Sequence, residues 1–427
     1  MKDSIGRKVA VIGLGYVGLP LCRLFLKHNF EVYGIDIDDR KVQALLRRES
    51  YLSDLSSDEI ESMFADNRFH VSQSFEPIPD ADHVLICVPT PLDQNKQPDL
   101  SFVKNAVQTL VPYLRPNHLI VLESSTYPGT TEEVLLPLLS STGLKVGEDF
   151  YLAYSPERIN PGEKMALEHI PKVVGGVTSS CTERAKALYG LVFKQVVTVS
   201  SPKVAEMAKL LENSQRFINV SFINELAMTS EKMDVDLWEA IAAASTKPYG
   251  FMPYYPGPGA GGHCIPVDPI YLLWKSKMAG GNAEFIELAG KINDRMPHYV
   301  TERIIKCLPD SKDVSECHVL IVGVAYKKNV NDVRESPVLT VMNNLLEKGA
   351  HVSFHDPFIS KLQLSKGEFH SVPLSPEFVQ KQDCVAILTD HDGINYELLV
   401  QQAQKIFDAR HAISASTSAN KENIIYL

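Results

Sequence analysis

Apolar residues fall in short runs separated by amphipathic stretches, and this alternation recurs along the chain. Residues 7–12 form an apolar run that ends in a glycine turn, and residues 18–28 follow with helical spacing. Residues 31–36 read as the next strand, and 83–89 and 118–124 as further buried strands. Strands that alternate with helical patterns predict a parallel sheet with helices on its faces. From 201 to about 244 the spacing is helical, with Pro202 at its start and no glycine before Gly250. A loop rich in glycine and proline follows, then more helix to about 307. Residues 316–324 repeat the strand-to-glycine pattern of the N-terminus, and 351–356 and 384–389 read as further strands. The polar stretch 414–423 is expected to be loosely ordered.

Composition narrows the picture. A chain of 427 residues, 44% apolar, is long enough for about two to three packed domains. No run approaches the roughly 18 apolar residues of a membrane span. Residues 9–22, preceded by Arg7 and Lys8, mimic a signal peptide, but their glycines and the lack of a small-residue cleavage site favour a folded strand and turn. Seven cysteines without a CxxC pair argue against a disulfide framework and against a zinc site. They fit a reducing, cytoplasmic setting, with no metal expected. The net charge of −10 speaks against a nucleic-acid partner. It leaves room for an anionic small molecule held by a few local cations.

The stretch Gly13-Leu14-Gly15-Tyr16-Val17-Gly18 lies between a strand and a helix, and Asp36 ends the next strand 18 residues past Gly18. Glycines at this spacing allow a tight turn and let a pyrophosphate approach a helix N-terminus. Asp36 would accept hydrogen bonds from the adenosine ribose and repel a 2′-phosphate, which favours NAD over NADP. Arg40 nearby weighs the other way. The plainer alternative is a glycine turn that only packs helix on strand. The fold class expected is therefore α/β: two Rossmann-like, doubly wound domains joined by a central helical segment, at 1–200, 201–308 and 309–427. Two more turns, 88–91 with Thr90 and 124–129 with Thr126, fall where the C-terminal edge of the first sheet is expected. Ligands bind at that edge, so each threonine is either a cofactor contact or an ordinary turn hydroxyl.

Lys209, Asn213 and Arg216 are spaced by four and three residues, which puts them on one helix face. Such a stripe is either solvated or turned toward a ligand; its apolar neighbours favour the ligand. A lysine beside a developing alkoxide stabilises negative charge and moves a proton. Cys264 lies in a loop almost free of side chains, beside Gly261 and Gly262 and four residues before Asp268. The other six cysteines read as small buried residues. A nicotinamide cofactor together with an approachable thiol points to an alcohol oxidised twice, through a thioester that water then releases as a carboxylate. Asp268 would position the water or orient Lys209, and His263 is expected to point elsewhere. In Tyr154-Ser155-Pro156-Glu157-Arg158, Glu157 suits a hydrolytic water and Arg158 an anion, with a surface ion pair as the plainer reading. In the third domain Tyr326, Lys327 and Lys328 follow the strand turn and suit a nucleotide base and its diphosphate, with Arg410 as a further candidate.

Taken together, residues 13–18, 88–91, 125–129, 155–158, 205–213, 261–268 and 326–336 resemble the nucleotide-sugar 6-dehydrogenases of the UDP-glucose/GDP-mannose dehydrogenase family. The resemblance extends over nearly the whole chain. It implies an N-terminal NAD domain, a central helical dimerisation segment and a C-terminal UDP-sugar domain, in a homodimer or larger homo-oligomer. It also implies that Cys264 is the thioester nucleophile and Lys209 the proton donor or acceptor, with Asp268, Asn213 and Glu157 assisting water and oxyanion. Besides the glycines Gly13, Gly15 and Gly18, the implied NAD contacts are Tyr16, Val17, Asp36, Thr90, Thr126 and Arg334. The implied UDP-sugar contacts are Arg158, Lys209, Asn213, Arg216, Gly261, Tyr326, Lys327 and Arg410. Residues 247–259 look most like the UDP-N-acetylglucosamine branch, and Val267 stands where the glucose enzymes usually carry lysine. The expected reaction is oxidation of C6 of a UDP-N-acetylhexosamine, UDP-N-acetylglucosamine foremost, for surface polysaccharide synthesis. The alternatives are UDP-N-acetylgalactosamine, UDP-N-acetylmannosamine and UDP-glucose or, in another class, a non-catalytic protein that binds NAD or UDP-sugar.

Overall fold

The structure, a computed structural model, describes residues 6–52, 55–65, 67–159, 165–262, 264–413 and 423–427. His263 and residues 414–422 of the polar tail lie outside the described residues. The chain divides into two compact units, Met1–Glu212 with Ile270–Asn282, and Asn213–Pro269 with Ala283–Leu427. Among the described residues no helix is long and apolar enough to cross a membrane.

The first unit is built on β1 (Lys8–Ile12), β2 (Glu31–Ile35), β3 (Phe69–Ser72), β4 (His83–Ile86), β5 (Leu119–Leu122), β6 (Tyr151–Tyr154), β7 (Lys172–Gly176) and β8 (Val196–Thr198). Their order across the sheet is β3-β2-β1-β4-β5-β6-β7-β8. The first six are parallel and follow the doubly wound order, which reverses between β1 and β4. Val9, Val11, Leu85 and Val121 are fully buried, as strands covered on both faces require, and this is why these segments read as continuous apolar runs. The all-parallel expectation stops at β6. β7 runs antiparallel to β6, and β8 parallel to β7. A parallel partner needs a crossover of about a dozen residues, usually a helix; the described residues between β6 and β7 hold only the short turn Leu167–His169.

The second unit carries β9 (His318–Val322), β10 (His351–His355), the hairpin β11 (Lys361–Leu364) and β12 (Gly367–His370), then β13 (Cys384–Ile387), β14 (Ile406–Asp408) and β15 (Ile424–Tyr426). Its main sheet has the order β10-β9-β13-β14-β15 and is parallel throughout. This is a doubly wound sheet of the shorter type, reversing between β9 and β13. One apolar core joins Met296, Val300 and Ile304 of the helix Glu284–Ile305 to Val319 and Ile321 of β9 and to Val341 and Leu345. The helix Glu284–Ile305 and the C-terminal sheet therefore share a core.

Candidate active site

Each glycine of the turn after β1 has its own physical reason. Gly13 has φ +95, and a Cβ there would lie 2.6 Å from the Cys87 carbonyl oxygen. A Cβ at Gly18 would fall 1.9 Å from the Gly13 oxygen, so only glycine lets the helix Gly18–Lys27 start against the strand. At Gly15 a Cβ would meet nothing within 4 Å. That open approach is what a pyrophosphate needs, with Tyr16 and Val17 leading into the helix N-terminus. Asp36 is buried and accepts from Leu14 N at 2.8 Å, Asp38 N at 2.9 Å and Lys41 Nζ at 2.9 Å. Arg40 does not join it: its guanidinium clasps Asp38 at the surface. Tyr51 donates to the Leu14 carbonyl at 2.5 Å, so Leu14 is held from both sides. Thr90 and Thr126 are buried, and Thr126 Oγ1 has no hydrogen-bond partner among the described residues. A buried, unpaired hydroxyl at this edge fits a ligand contact.

The ends of β5 and β6 hold an ionic cluster that the sequence reading missed. Lys172 Nζ donates to Glu123 at 2.5 Å and to Glu157 at 3.2 Å, and the Tyr189 hydroxyl donates to Glu123. All four side chains are buried. Burial pushes the Glu123 carboxyl up to about 7. Burial opposes the charge on Lys172, but the two carboxylates outweigh it and raise its pKa. The other oxygen of Glu157 accepts from the backbone N–H groups of Arg158 and Ile159. Glu157, assigned to a water by sequence, is thus engaged on both oxygens. Arg158, assigned to an anion, binds Glu212 through Nε at 3.1 Å and Nη2 at 2.5 Å, and the Pro171 carbonyl at 3.0 Å. The available signal was a charge beside an apolar run, Glu123 just past β5 and Lys172 opening β7.

One helix, Pro202–Ser230, carries Lys209, Asn213 and Arg216. Lys209 and Asn213 are buried and Arg216 is half-buried, so the stripe is not simply solvated. In the second unit Asn213 Nδ2 donates to Asp268 at 2.5 Å and fixes that carboxylate. Cys264 is half-buried, whereas the other six cysteines are buried. Its carbonyl accepts from Val267 N at 3.3 Å and Asp268 N at 2.9 Å, so the cysteine opens the turn that becomes the helix Asp268–Met278.

The loop before the cysteine is pinned along its length. Asn224 accepts from Gly257 N at 3.0 Å, Asn293 accepts from Ala260 N at 2.6 Å, and Gly262 N donates to the Arg334 carbonyl at 3.1 Å. Tyr326 packs beneath it: a Cβ at Gly261 or Gly262 would come within 2.8 or 2.6 Å of that side chain. Arg334 turns its guanidinium onto Asp332. Arg410 donates to Asp390 at 3.2 Å and reaches the Pro256 carbonyl at 3.5 Å. Lys327 is half-buried, one residue past Tyr326. Among the described residues no cluster of side chains is arranged to hold a metal.

Three family models cover the chain in succession: the NAD binding domain of the UDP-glucose/GDP-mannose dehydrogenase family over residues 7–192, its central domain over 203–295 and its UDP binding domain over 320–415. The chain belongs to this family. It is 37% identical to Protein CapL of Staphylococcus aureus over 421 residues, spanning 96% of this chain and 97% of the relative. It is 38% identical to a UDP-N-acetyl-D-glucosamine 6-dehydrogenase of Pseudomonas aeruginosa over 367 residues, 84% of each chain. The structure of a UDP-N-acetylmannosamine dehydrogenase from Pyrococcus horikoshii matches with a TM-score of 0.88 at 29% identity, covering 98% of both chains. The first unit is accordingly an NAD-binding domain, and the protein is an NAD-dependent nucleotide-sugar dehydrogenase.

Proposed function

We propose that this dehydrogenase converts the C6 hydroxyl of a UDP-N-acetylhexosamine, UDP-N-acetylglucosamine foremost, to a carboxylate through a thioester on Cys264. The observation that carries this reading is Cys264 itself, the one described cysteine that is not buried, at the start of a helix and behind a loop of pinned glycines. NAD, when bound, supplies the hydride acceptor for both oxidations. The chain's own residues supply the rest. Lys209 takes the proton of the C6 hydroxyl and steadies the oxygen as it becomes an alkoxide. The Cys264 thiolate adds to the aldehyde carbon, which retains the carbon until the second oxidation leaves a thioester. Asp268, oriented by Asn213, aims water at the thioester carbonyl. Gly261, Tyr326, Lys327, Arg216 and Arg410 are the candidate contacts of the nucleotide sugar, and Thr126 and Asp36 those of the cofactor.

The name of the Pseudomonas relative and the 247–259 loop favour the glucosamine sugar; the Pyrococcus structure favours UDP-N-acetylmannosamine as the second reading. A panel of UDP-sugars assayed for NADH release decides between them. Two NADH per sugar and a preference for UDP-N-acetylglucosamine are expected. One NADH per sugar removes the thioester, and equal use of UDP-glucose removes the substrate assignment. Val204, Met207, Leu211 and Phe222 stay exposed along the helix Pro202–Ser230. They support a homodimer, which light scattering checks. The absence of disulfides among the described cysteines suits work in a reducing cytoplasm on polysaccharide precursors.

A further inference from the structure

Glu206 sits one helical turn before Lys209 and is fully buried. Its carboxylate accepts from Gly129 N at 2.5 Å, Thr131 N at 2.9 Å and Thr131 Oγ1 at 2.7 Å. These donors end the turn that contains Thr126, the residue with the buried, unpaired hydroxyl. Glu212 sits one turn after Lys209 and takes the Arg158 guanidinium at 2.5 and 3.1 Å. Arg158 belongs to the turn at the end of β6. All of these residues lie in the first unit.

With about 3.6 residues per turn, a residue three positions from each of two others leaves the helix between them. Lys209 therefore projects between two carboxylates, each tied to a different turn at the C-terminal edge of the sheet. A local serine, threonine or aspartate satisfies free N–H groups at a turn or helix start with little desolvation. Here the acceptor is instead a fully buried carboxylate 75 residues away in sequence. Burying that charge is unfavourable unless every lone pair is used, so a simple cap is a poor account of it.

We propose that Glu206 and Glu212 are positioning residues that brace Lys209, Glu206 against the cofactor turn and Glu212 against the Arg158 turn. This rests on the function proposed above, in which Lys209 takes the C6 proton. Proton and hydride leave the same carbinol, so the base and the cofactor turn must keep one spacing. A displacement of about 1 Å at such a centre costs about a hundredfold in rate. The brace makes that spacing a property of one helix, the hydrogen bonds of Glu206 and the ion pair of Glu212.

The test separates the two halves of the brace. Glu206→Gln leaves one amide oxygen for three donors and turns an NH2 toward a backbone N–H. It is expected to weaken NADH binding, read by fluorescence titration, about fivefold and to lower kcat about tenfold. The isotope effect with sugar deuterated at C6 should rise, while KM for the UDP-sugar stays within about threefold. Glu212→Gln frees Arg158 and is expected to do the reverse, raising KM for the UDP-sugar about fivefold with NADH affinity unchanged. Thr131→Val removes a single donor and should move NADH affinity and kcat the same way as Glu206→Gln, by less, even if that variant does not fold. A fall in melting temperature alone, with NADH affinity, kcat, KM and isotope effect all unchanged, overturns the proposal. If wild type oxidises no UDP-sugar, the proposed function fails, and the NADH titrations of Glu206→Gln and Thr131→Val still decide the cofactor half.

Discussion

Replacing Lys172 by methionine keeps the shape of a buried, unbranched side chain and removes its charge. Two carboxylates, Glu123 and Glu157, then share a buried site with no cation. Breaking a buried ion pair from one side costs about 3–5 kcal/mol. The loss should be smaller at pH 7, because Glu123 already titrates at about 7 and sheds its charge almost freely there. Glu157 keeps its two backbone donors, so about 2–3 kcal/mol is expected. For a unit of this size that is a fall of roughly 5–10 °C in melting temperature. The gap should widen with alkali. Without Lys172, Glu123 keeps a raised pKa in the native state, so the native protein binds more protons than the unfolded chain, and stability falls as pH rises. In wild type this loss ends near pH 7; in the variant it continues at about 1.4 kcal/mol per pH unit. Between pH 7 and 8.5 the difference should therefore grow by about 2 kcal/mol. Calorimetric unfolding of both proteins at pH 6.5, 7.5 and 8.5 measures it. A difference that does not change with pH would falsify the account of the cluster.

Cys264→Ala is expected to cut uronate formation roughly a thousandfold or more while NADH and UDP-sugar still bind; full uronate production by this variant rejects the covalent route. Asp36→Ala should narrow the preference for NAD over NADP, measured as the ratio of kcat/KM values, and should also lower the melting temperature, because it unpairs Leu14 N. An unaltered ratio takes Asp36 out of cofactor selection. Burial holds His83 and His118 neutral down to about pH 4, whereas unfolded imidazoles titrate near 6.5. The unfolded chain then binds more protons between those values, so each histidine removes up to about 3 kcal/mol as pH falls from 6.5 to 4. His118→Asn keeps an acceptor for Arg115 N and should reduce the acid slope by about one proton; an unchanged slope means His118 is not the group responsible.

What was legible in the sequence is what short-range spacing encodes. The glycine turn, the aspartate after β2, the helix face of Lys209, Asn213 and Arg216, and the cysteine loop all lie within spans of a few to about twenty residues. What was not legible depends on partners far apart in sequence. Glu123 and Lys172 are 49 residues apart, and Glu206 and Thr131 are 75 apart. A lysine opening an apolar strand or a glutamate on a helix looks solvated until the partner is known. The same limit hid that Arg158 pairs with Glu212 of its own unit and that Lys41 meets Asp36. Strand β7 was missed because it opens with a charge and ends in two glycines.

The repeated strand-to-glycine pattern led to two Rossmann-like domains, and at the level of the turn the repeat is real. Gly323 has φ +80 and donates to the His355 carbonyl, as Gly13, with φ +95, donates to Ile35. Asp356 accepts from Val324 N and Ala325 N much as Asp36 accepts from Leu14 N. The two turns nevertheless differ in what they can bind. After Gly13 a helix begins at Gly18, whereas after Gly323 the next helix, Pro337–Glu347, begins only at Pro337. The second turn therefore offers no helix N-terminus close to its glycine. The aspartates differ as well. A carboxylate has about four lone-pair sites. Asp36 accepts three hydrogen bonds among the described residues, which leaves one for a ribose hydroxyl. Asp356 accepts five, including one from His391, whose Nδ1 in turn accepts from Asn329 N. It has nothing left to offer a ribose. The first domain keeps the chemistry of a dinucleotide site. The second keeps only its turn, and its long connection from 324 to 336 serves instead to seat Tyr326 and Arg334 under the cysteine loop.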